Sequence, residues 1–282
     1  MIVAEDLYGA DGRILLKRGT ALDSWYIERL QGIRQTTLLV DDLTPVYLDN
    51  HYIAHQIRHN GMLEVTRWLP DGSTAFQQAW EPLERVIETI HDEPELTGLL
   101  LRLSQRQRQW FLHGVQRAAL GVVMARELPL AALDRQSLVM ALLLLDIGNL
   151  GLSDEIATKS TPLTATERKL VHLHPELAVE RLQKIATVAP QALQVVHCHH
   201  ERLDGSGYPR GLVGHQIDPL SQVAAIADVY CALGQDRSHR CRIAPATRDS
   251  ILRDGAGTLF DATLIADFLA RPHGSDNRAE PA

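Results

Sequence analysis

The chain of 282 residues is poor in cysteine, holding three, Cys198, Cys231 and Cys241, with no CxxC pair. An odd count without paired spacing argues against a disulfide framework and points to a reducing compartment. Long apolar runs are also missing. The longest, 138–145, falls far short of the roughly 20 residues that span a bilayer, so no membrane insertion is expected. The opening Met1-Ile-Val-Ala-Glu-Asp-Leu-Tyr8 lacks a basic stretch and an apolar core, so no secretory signal is expected and a cytoplasmic location follows. Positive charge is in deficit, 28 Lys+Arg against 35 Asp+Glu for a net charge of −7. That balance argues against DNA or RNA as a partner, while leaving room for a local basic pocket around a small phosphate ligand. No repeat of solenoid length is present.

What remains fits a mainly α protein. Apolar residues make up 45% and charged residues 22%, enough for a full core and a second small module. Residues 1–45 stand apart as a small β-rich N-terminal module. Their short apolar runs are Ile2-Val3-Ala4, Ile14-Leu15-Leu16 and Thr37-Leu38-Leu39-Val40, with a turn at Gly9-Ala10-Asp11-Gly12 and one helix over 24–30. Residues 46–92 carry amphipathic stretches such as 79–90 around Pro70-Asp71-Gly72 and are expected to form a helical connector. Residues 93–270 run helix after helix. The stretch 99–128 is periodic up to Pro129, and 137–147 runs to Gly148. Thr164-Ala-Thr-Glu167 is a capping box, 193–201 precedes the glycine-rich stretch 204–211, and Pro219 opens a helix through Ala232. Residues 271–282 are a polar tail.

The most informative residue is Asp146, in the run Ser137-Leu-Val-Met-Ala-Leu-Leu-Leu-Leu-Asp146-Ile-Gly148. A carboxylate on a core-facing helix needs a cation or a dense set of donors, and nothing in that run supplies either. His113, His174, His199, His200 and Asp228, spread over other helices, offer the rest of a cage, so Asp146 reads as a metal ligand. Mixed histidine and carboxylate ligands suit iron, manganese or zinc rather than a thiolate-bound structural ion. Two bridged ions would activate water and stabilise both attacking and leaving oxygens of a phosphoester. A lone histidine on a helix is more often exposed or a satisfied core residue, as His51, His55, His59 and His91 are expected to be. The six candidates gain weight jointly, because Asp146 is otherwise unexplained.

The string His199-His-Glu-Arg-Leu-Asp-Gly-Ser-Gly-Tyr-Pro209 resembles the HD-GYP signature. The resemblance extends through Ile217-Asp-Pro-Leu220, Ala225-Ile-Ala-Asp-Val-Tyr230 and Ala256-Gly-Thr-Leu-Phe-Asp261, covering roughly 99–268. It implies an all-helical HD-superfamily metal-binding bundle that hydrolyses cyclic di-GMP. It implies Asp146 as the catalytic residue and metal ligands at His113, Asp146, His174, His199, His200 and Asp228. These would hold one or two divalent ions, iron or manganese ahead of zinc or nickel. It further implies that Lys159, Tyr208, Arg237 and Arg240 bind substrate. Gly205, Gly207, Tyr208 and Pro209 would form a partner loop able to contact a GGDEF-type diguanylate cyclase, with Tyr208 as an exposed aromatic anchor. Glu5-Asp-Leu-Tyr8, Asp11-Gly-Arg13 and Gly19-Thr20 are similar to a small module that often precedes such domains.

The pattern breaks at its name-giving dyad, where Leu145 stands in place of histidine. Leucine cannot bind a metal. The family's lysine three residues after the aspartate is Asn149, and a glutamate that adds a further ligand in some members falls on Gln109. The ion held by His174, His199, His200 and Asp146 keeps its set, whereas the one held by His113, Asp146 and Asp228 loses a ligand. The expectation is an HD-GYP-type cyclic di-GMP signalling protein whose hydrolysis is weak or lost. The alternatives are an active phosphodiesterase using the remaining ligands, or a nucleotide-independent scaffold binding a GGDEF-type partner. Cys198, between His197 and His199, reads as a small core residue or as a redox-sensitive neighbour of the site.

Overall fold

The computed structural model describes residues 50–126, 128, 130–157, 159, 161–235 and 241–271, together with four short strand segments before residue 42. The chain divides into two units, Met1–Asp49 and Asn50–Ala282. The first contains β1 (Ile2–Val3), β2 (Leu7–Tyr8), β3 (Ile14–Leu16) and β4 (Val40–Asp41). β1 pairs antiparallel with β4, and β2 with β3. The helix expected over 24–30 and the turn at 9–12 lie outside the described residues, as does the polar tail beyond 271.

The second unit is mainly helical. Residues 46–92, expected as a connector, also build the core. Their helices are α1 (Asn50–Val65) and α2 (Thr74–Asp92), and Ile53, Ile57, Leu83, Ile87 and Ile90 are at most 1% exposed in one cluster with the later helices. Gly72, at φ +72°, turns the chain between them. Ser73 then caps α2, its hydroxyl accepting from the Phe76 N–H at 3.0 Å. Phe76, Ala79, Leu83, Val86, Ile87 and Ile90 recur at three- and four-residue steps, which puts them on one buried stripe.

The periodic stretch 99–128 is two helices rather than one, α3 (Pro94–Arg106) and α4 (Arg108–Ala125). Gln107 between them is extended, at φ −151° and ψ 90°. Side chains at the break are tied far along the chain. Arg106 donates to Leu150 O at 2.9 Å and pairs with Asp154 at 2.8 Å, and Gln107 Nε2 donates to Ala157 O at 3.4 Å. Apolar spacing continues across the bend, so periodicity alone reads it as unbroken.

α4 is the central helix, buried on nearly every side, and crosses α5 (Ala132–Leu144) closely. A Cβ at Gly114 would stand 3.0 Å from Leu143 O, and one at Gly121 would strike the Leu142 side chain. After α5 the chain tightens into a 3-10 segment, Leu145–Gly151, instead of holding α geometry to 147. There Gly148 lies against the next layer, since a Cβ would collide with the His174 carbonyl. α6 (Asp154–Ala157) and α7 (Ala165–Val171) follow, α7 opened by the expected capping box between Thr164 and Glu167. The remaining helices are α8 (His174–Leu182), α9 (Pro190–Cys198), α10 (Pro219–Leu233), α11 (Pro245–Gly255) and α12 (Ala262–Leu269). α9 ends three residues before the expected 201, which leaves His199 and His200 in the turn that follows. Among the described residues, no helix is long and apolar enough to cross a membrane.

Candidate metal centre

α8 contributes His174 from its first residue, and the turn after α9 contributes His199 and His200. One ligand nitrogen from each of these rings lies within 4.8 Å of the others. His174 Nδ1 is 2.8 Å from Val171 O and His199 Nδ1 is 2.7 Å from Val196 O. A carbonyl only accepts, so both Nδ1 atoms carry hydrogen, and in the neutral rings both Nε2 atoms present lone pairs. These two Nε2 atoms face each other at 3.3 Å. Burial, aided by the neighbouring His174, holds His199 down to about 3. Burial also lowers His174, and burial with His199 alongside lowers His200. At neutral pH no proton is therefore available to lie between the facing lone pairs. Two nitrogens each about 2.0–2.1 Å from one ion stand roughly 3.3 Å apart at a near-tetrahedral angle. The triad fits one divalent cation, with backbone carbonyls orienting two of its ligands.

The other half of the centre is arranged differently. His113 on α4, Asp146 on the 3-10 segment and Asp228 on α10 do converge, but around an arginine. Arg117, one helical turn after His113, is 1% exposed. It donates through Nη2 to Asp146 Oδ2 at 2.7 Å and through Nη1 to Asp228 Oδ1 at 2.8 Å. His113 Nδ1 is 3.9 Å from the same Asp146 oxygen. Asn149 Nδ2 donates to Asp146 Oδ1 at 2.9 Å. The cation that Asp146 requires is thus supplied by the chain itself. Burial pushes the Asp146 and Asp228 carboxyls up, but Arg117 and the histidines around them together hold both below the ordinary carboxylate value. Leu145 is fully buried in the main apolar cluster. Here the residues do not fit a second ion as they stand, because a guanidinium already spans the two carboxylates. Arg117 escaped sequence reading. Its signal was the four-residue step from His113, which places both on one face of α4.

The glycine-rich loop folds back over the histidines. Glu201 is buried and accepts from the Arg210 N–H at 2.7 Å and the Leu212 N–H at 2.9 Å, pinning the loop from within. Gly207 is needed for close approach, since a Cβ there would meet the backbone of Glu201 and Arg202. Tyr208 is a half-buried ring rather than an exposed anchor. It stacks on His172 at 3.9 Å and on His200 at 4.6 Å between ring centroids, because Glu201 draws the loop inward. Lys159 pairs with Glu167 at 2.6 Å, at the mouth of α7. Arg237 and Arg240 lie outside the described residues. Gln109 is exposed. Cys198 is fully buried beside Leu212 and Ile217, and burial pushes its thiol up to about 11, which makes it a packing residue. His55 and His59 are exposed, as expected of histidines outside the site.

The HD domain family matches residues 86–264, and the chain belongs to it. The motif at 199–209 within that match resembles the HD-GYP signature. The chain is 33% identical over 158 residues to the cyclic di-GMP phosphodiesterase PA4108 of Pseudomonas aeruginosa, covering 56% of this chain and 38% of that protein. It is 39% identical over 135 residues to 3'3'-cGAMP-specific phosphodiesterase 1 of Vibrio cholerae, covering 46% of this chain and 30% of that protein. The chain therefore spans well under half the length of these curated relatives. Among solved structures, Bd1817, an HDG"Y"P protein from Bdellovibrio bacteriovorus, is similar in fold. The TM-score is 0.53 at 15% identity, over 95% of this chain and 94% of that one.

Proposed function

We propose that the chain is an HD-GYP-type cyclic di-GMP signalling protein in which hydrolysis is weak or lost. The observation that carries this reading is Leu145, a fully buried leucine where the dyad histidine would stand, next to carboxylates already engaged by Arg117. His174, His199 and His200 are the residues to hold a divalent ion, iron or manganese in first place. The chemistry available to an ion in that triad is Lewis-acid polarisation of a phosphoryl oxygen. The chain's own contribution is to aim the Nε2 lone pairs and to cover His200 with the Tyr208 ring. Lys159, Tyr208, Arg237 and Arg240 are proposed as the nucleotide contacts, Lys159 on the condition that it leaves Glu167. The loop of Gly205, Gly207, Tyr208 and Pro209 is proposed as the surface met by a GGDEF-type partner. Residues 1–45 are proposed as a small β-rich module, and the free cysteines support a cytoplasmic location.

The test is turnover. Purified protein is supplied anaerobically with Fe(II) or Mn(II) and given cyclic di-GMP or 3'3'-cGAMP, since relatives carry either name. Little or no linear dinucleotide is expected. Rates equal to those of PA4108 assayed alongside would overturn the reading. Calorimetric titration of the same nucleotides then separates a binder, which gives heat, from a scaffold, which gives none.

A further inference from the structure

The two halves of this centre present opposite chemistry. One is a set of facing imidazole lone pairs. The other is a pair of carboxylates with a cation built in. We infer that the Arg117 guanidinium stands in for the second metal ion, so that the centre takes one divalent ion at His174, His199 and His200 and a fixed organic cation between Asp146 and Asp228. This rests on the family reading of those ligands and deepens it.

Geometry supports the substitution. A metal bridging Asp146 and Asp228 would do so through carboxylate oxygens, and Asp146 Oδ2 and Asp228 Oδ1 are each within 2.8 Å of a guanidinium nitrogen. The remaining Asp146 oxygen accepts from Asn149 Nδ2. A dication entering there would have to displace these donors and stand beside a guanidinium that does not deprotonate in proteins. Nor does Arg117 sit in open space from which it readily withdraws. It is fully buried, its α4 neighbours Val115, Ala118 and Ala119 are at 0% exposure, and Nη1 and Nη2 are both engaged. Planar donors spaced to meet two carboxylates at once are what a guanidinium offers and a lysine does not. One positive charge thus replaces two at the position where Leu145 has removed a ligand, so the two departures are consistent with each other.

The experiment is a metal count on the full chain. Wild type is equilibrated with Mn(II), gel-filtered and analysed by inductively coupled plasma mass spectrometry, with electron paramagnetic resonance of the same sample. One ion per chain is expected, with the six-line spectrum of an isolated Mn(II). Arg117→Met frees both carboxylates and should raise the count to two. The double variant His174→Ala/His199→Ala should fall to zero in the wild-type background and retain one ion in the Arg117→Met background. Two ions or none in wild type, an exchange-coupled spectrum, or one ion surviving in His174→Ala/His199→Ala would each overturn the inference. If Arg117→Met does not fold, the wild-type count and the histidine variant still decide. Nucleotide turnover with two bound ions would refute the proposed function as well, whereas two bound ions without turnover would refute this inference alone.

Discussion

A histidine introduced at position 145 would meet a centre that already contains a cation. Leu145→His with Asn149→Lys restores the residues the HD-GYP pattern lacks, but it also places a second positive charge beside Arg117. We expect that double variant to gain neither metal nor hydrolysis until Arg117→Met is added, as read by metal content and linear dinucleotide formation. Hydrolysis with Arg117 intact would refute that dependence. His199 carries a second prediction at this scale. Its folded value is about 3, against roughly 6.5 for an unperturbed histidine. The unfolded chain therefore takes up the proton first. Stability contributed by the neutral ring is complete above about pH 6.5 and is lost as pH falls toward 3. In metal-free protein, moving from pH 6.5 to 5 should cost about 2 kcal/mol through this group. The urea midpoint measures it, and a flat profile would mean that the ring ionises freely in the fold. Asp146 as a carboxylate in need of a cation was legible in the sequence, because the run 138–145 before it is wholly apolar. The identity of that cation was not. Arg117 is 111 residues from Asp228, and an arginine on a helix reads as solvated until its burial is known.

The elements that carry the centre are held by contacts that leave different traces in the sequence. The capping box of α7 was readable because both partners lie within four residues. The break at Gln107 was not, because its causes are the bonds from Arg106 and Gln107 to residues near 150–157. Two elements make testable claims. Gly148→Ala drives a methyl group into the His174 carbonyl where the 3-10 segment meets α8. Overpacking of this kind costs roughly 1–3 kcal/mol. Here it should also tilt His174 off its carbonyl partner, lowering both the melting temperature and the metal content. A variant with wild-type metal affinity would separate that junction from the site. Glu201→Ala leaves the Arg210 and Leu212 amides without their acceptor. The Leu212 donor is buried, and a buried unsatisfied donor costs about 1–3 kcal/mol. Faster proteolysis within 204–214 is expected, and unchanged cleavage would show that the loop is held by something other than Glu201.

For the molecule as a whole, the family match begins at residue 86 while the apolar core begins earlier. Ile53 and Ile57 on α1 and Leu83 on α2 are buried in the same cluster as the helices of the centre. A protein cut to begin at residue 93 would expose the surfaces these side chains cover. It should be insoluble or molten, whereas one beginning at residue 50 should melt cooperatively, a difference visible by calorimetry. A sharp transition from the shorter piece would refute the single core. Composition and periodicity revealed the helical class, but not that the stretch before 93 packs into it, because an amphipathic helix has the same pattern wherever its apolar face is buried. The arginine at the centre bears on how such a protein meets a changing cell. A guanidinium cannot be chelated, oxidised or withheld, so the charge between Asp146 and Asp228 arrives with translation, and under the one-ion proposal only the histidine side would draw on the cell's metal supply.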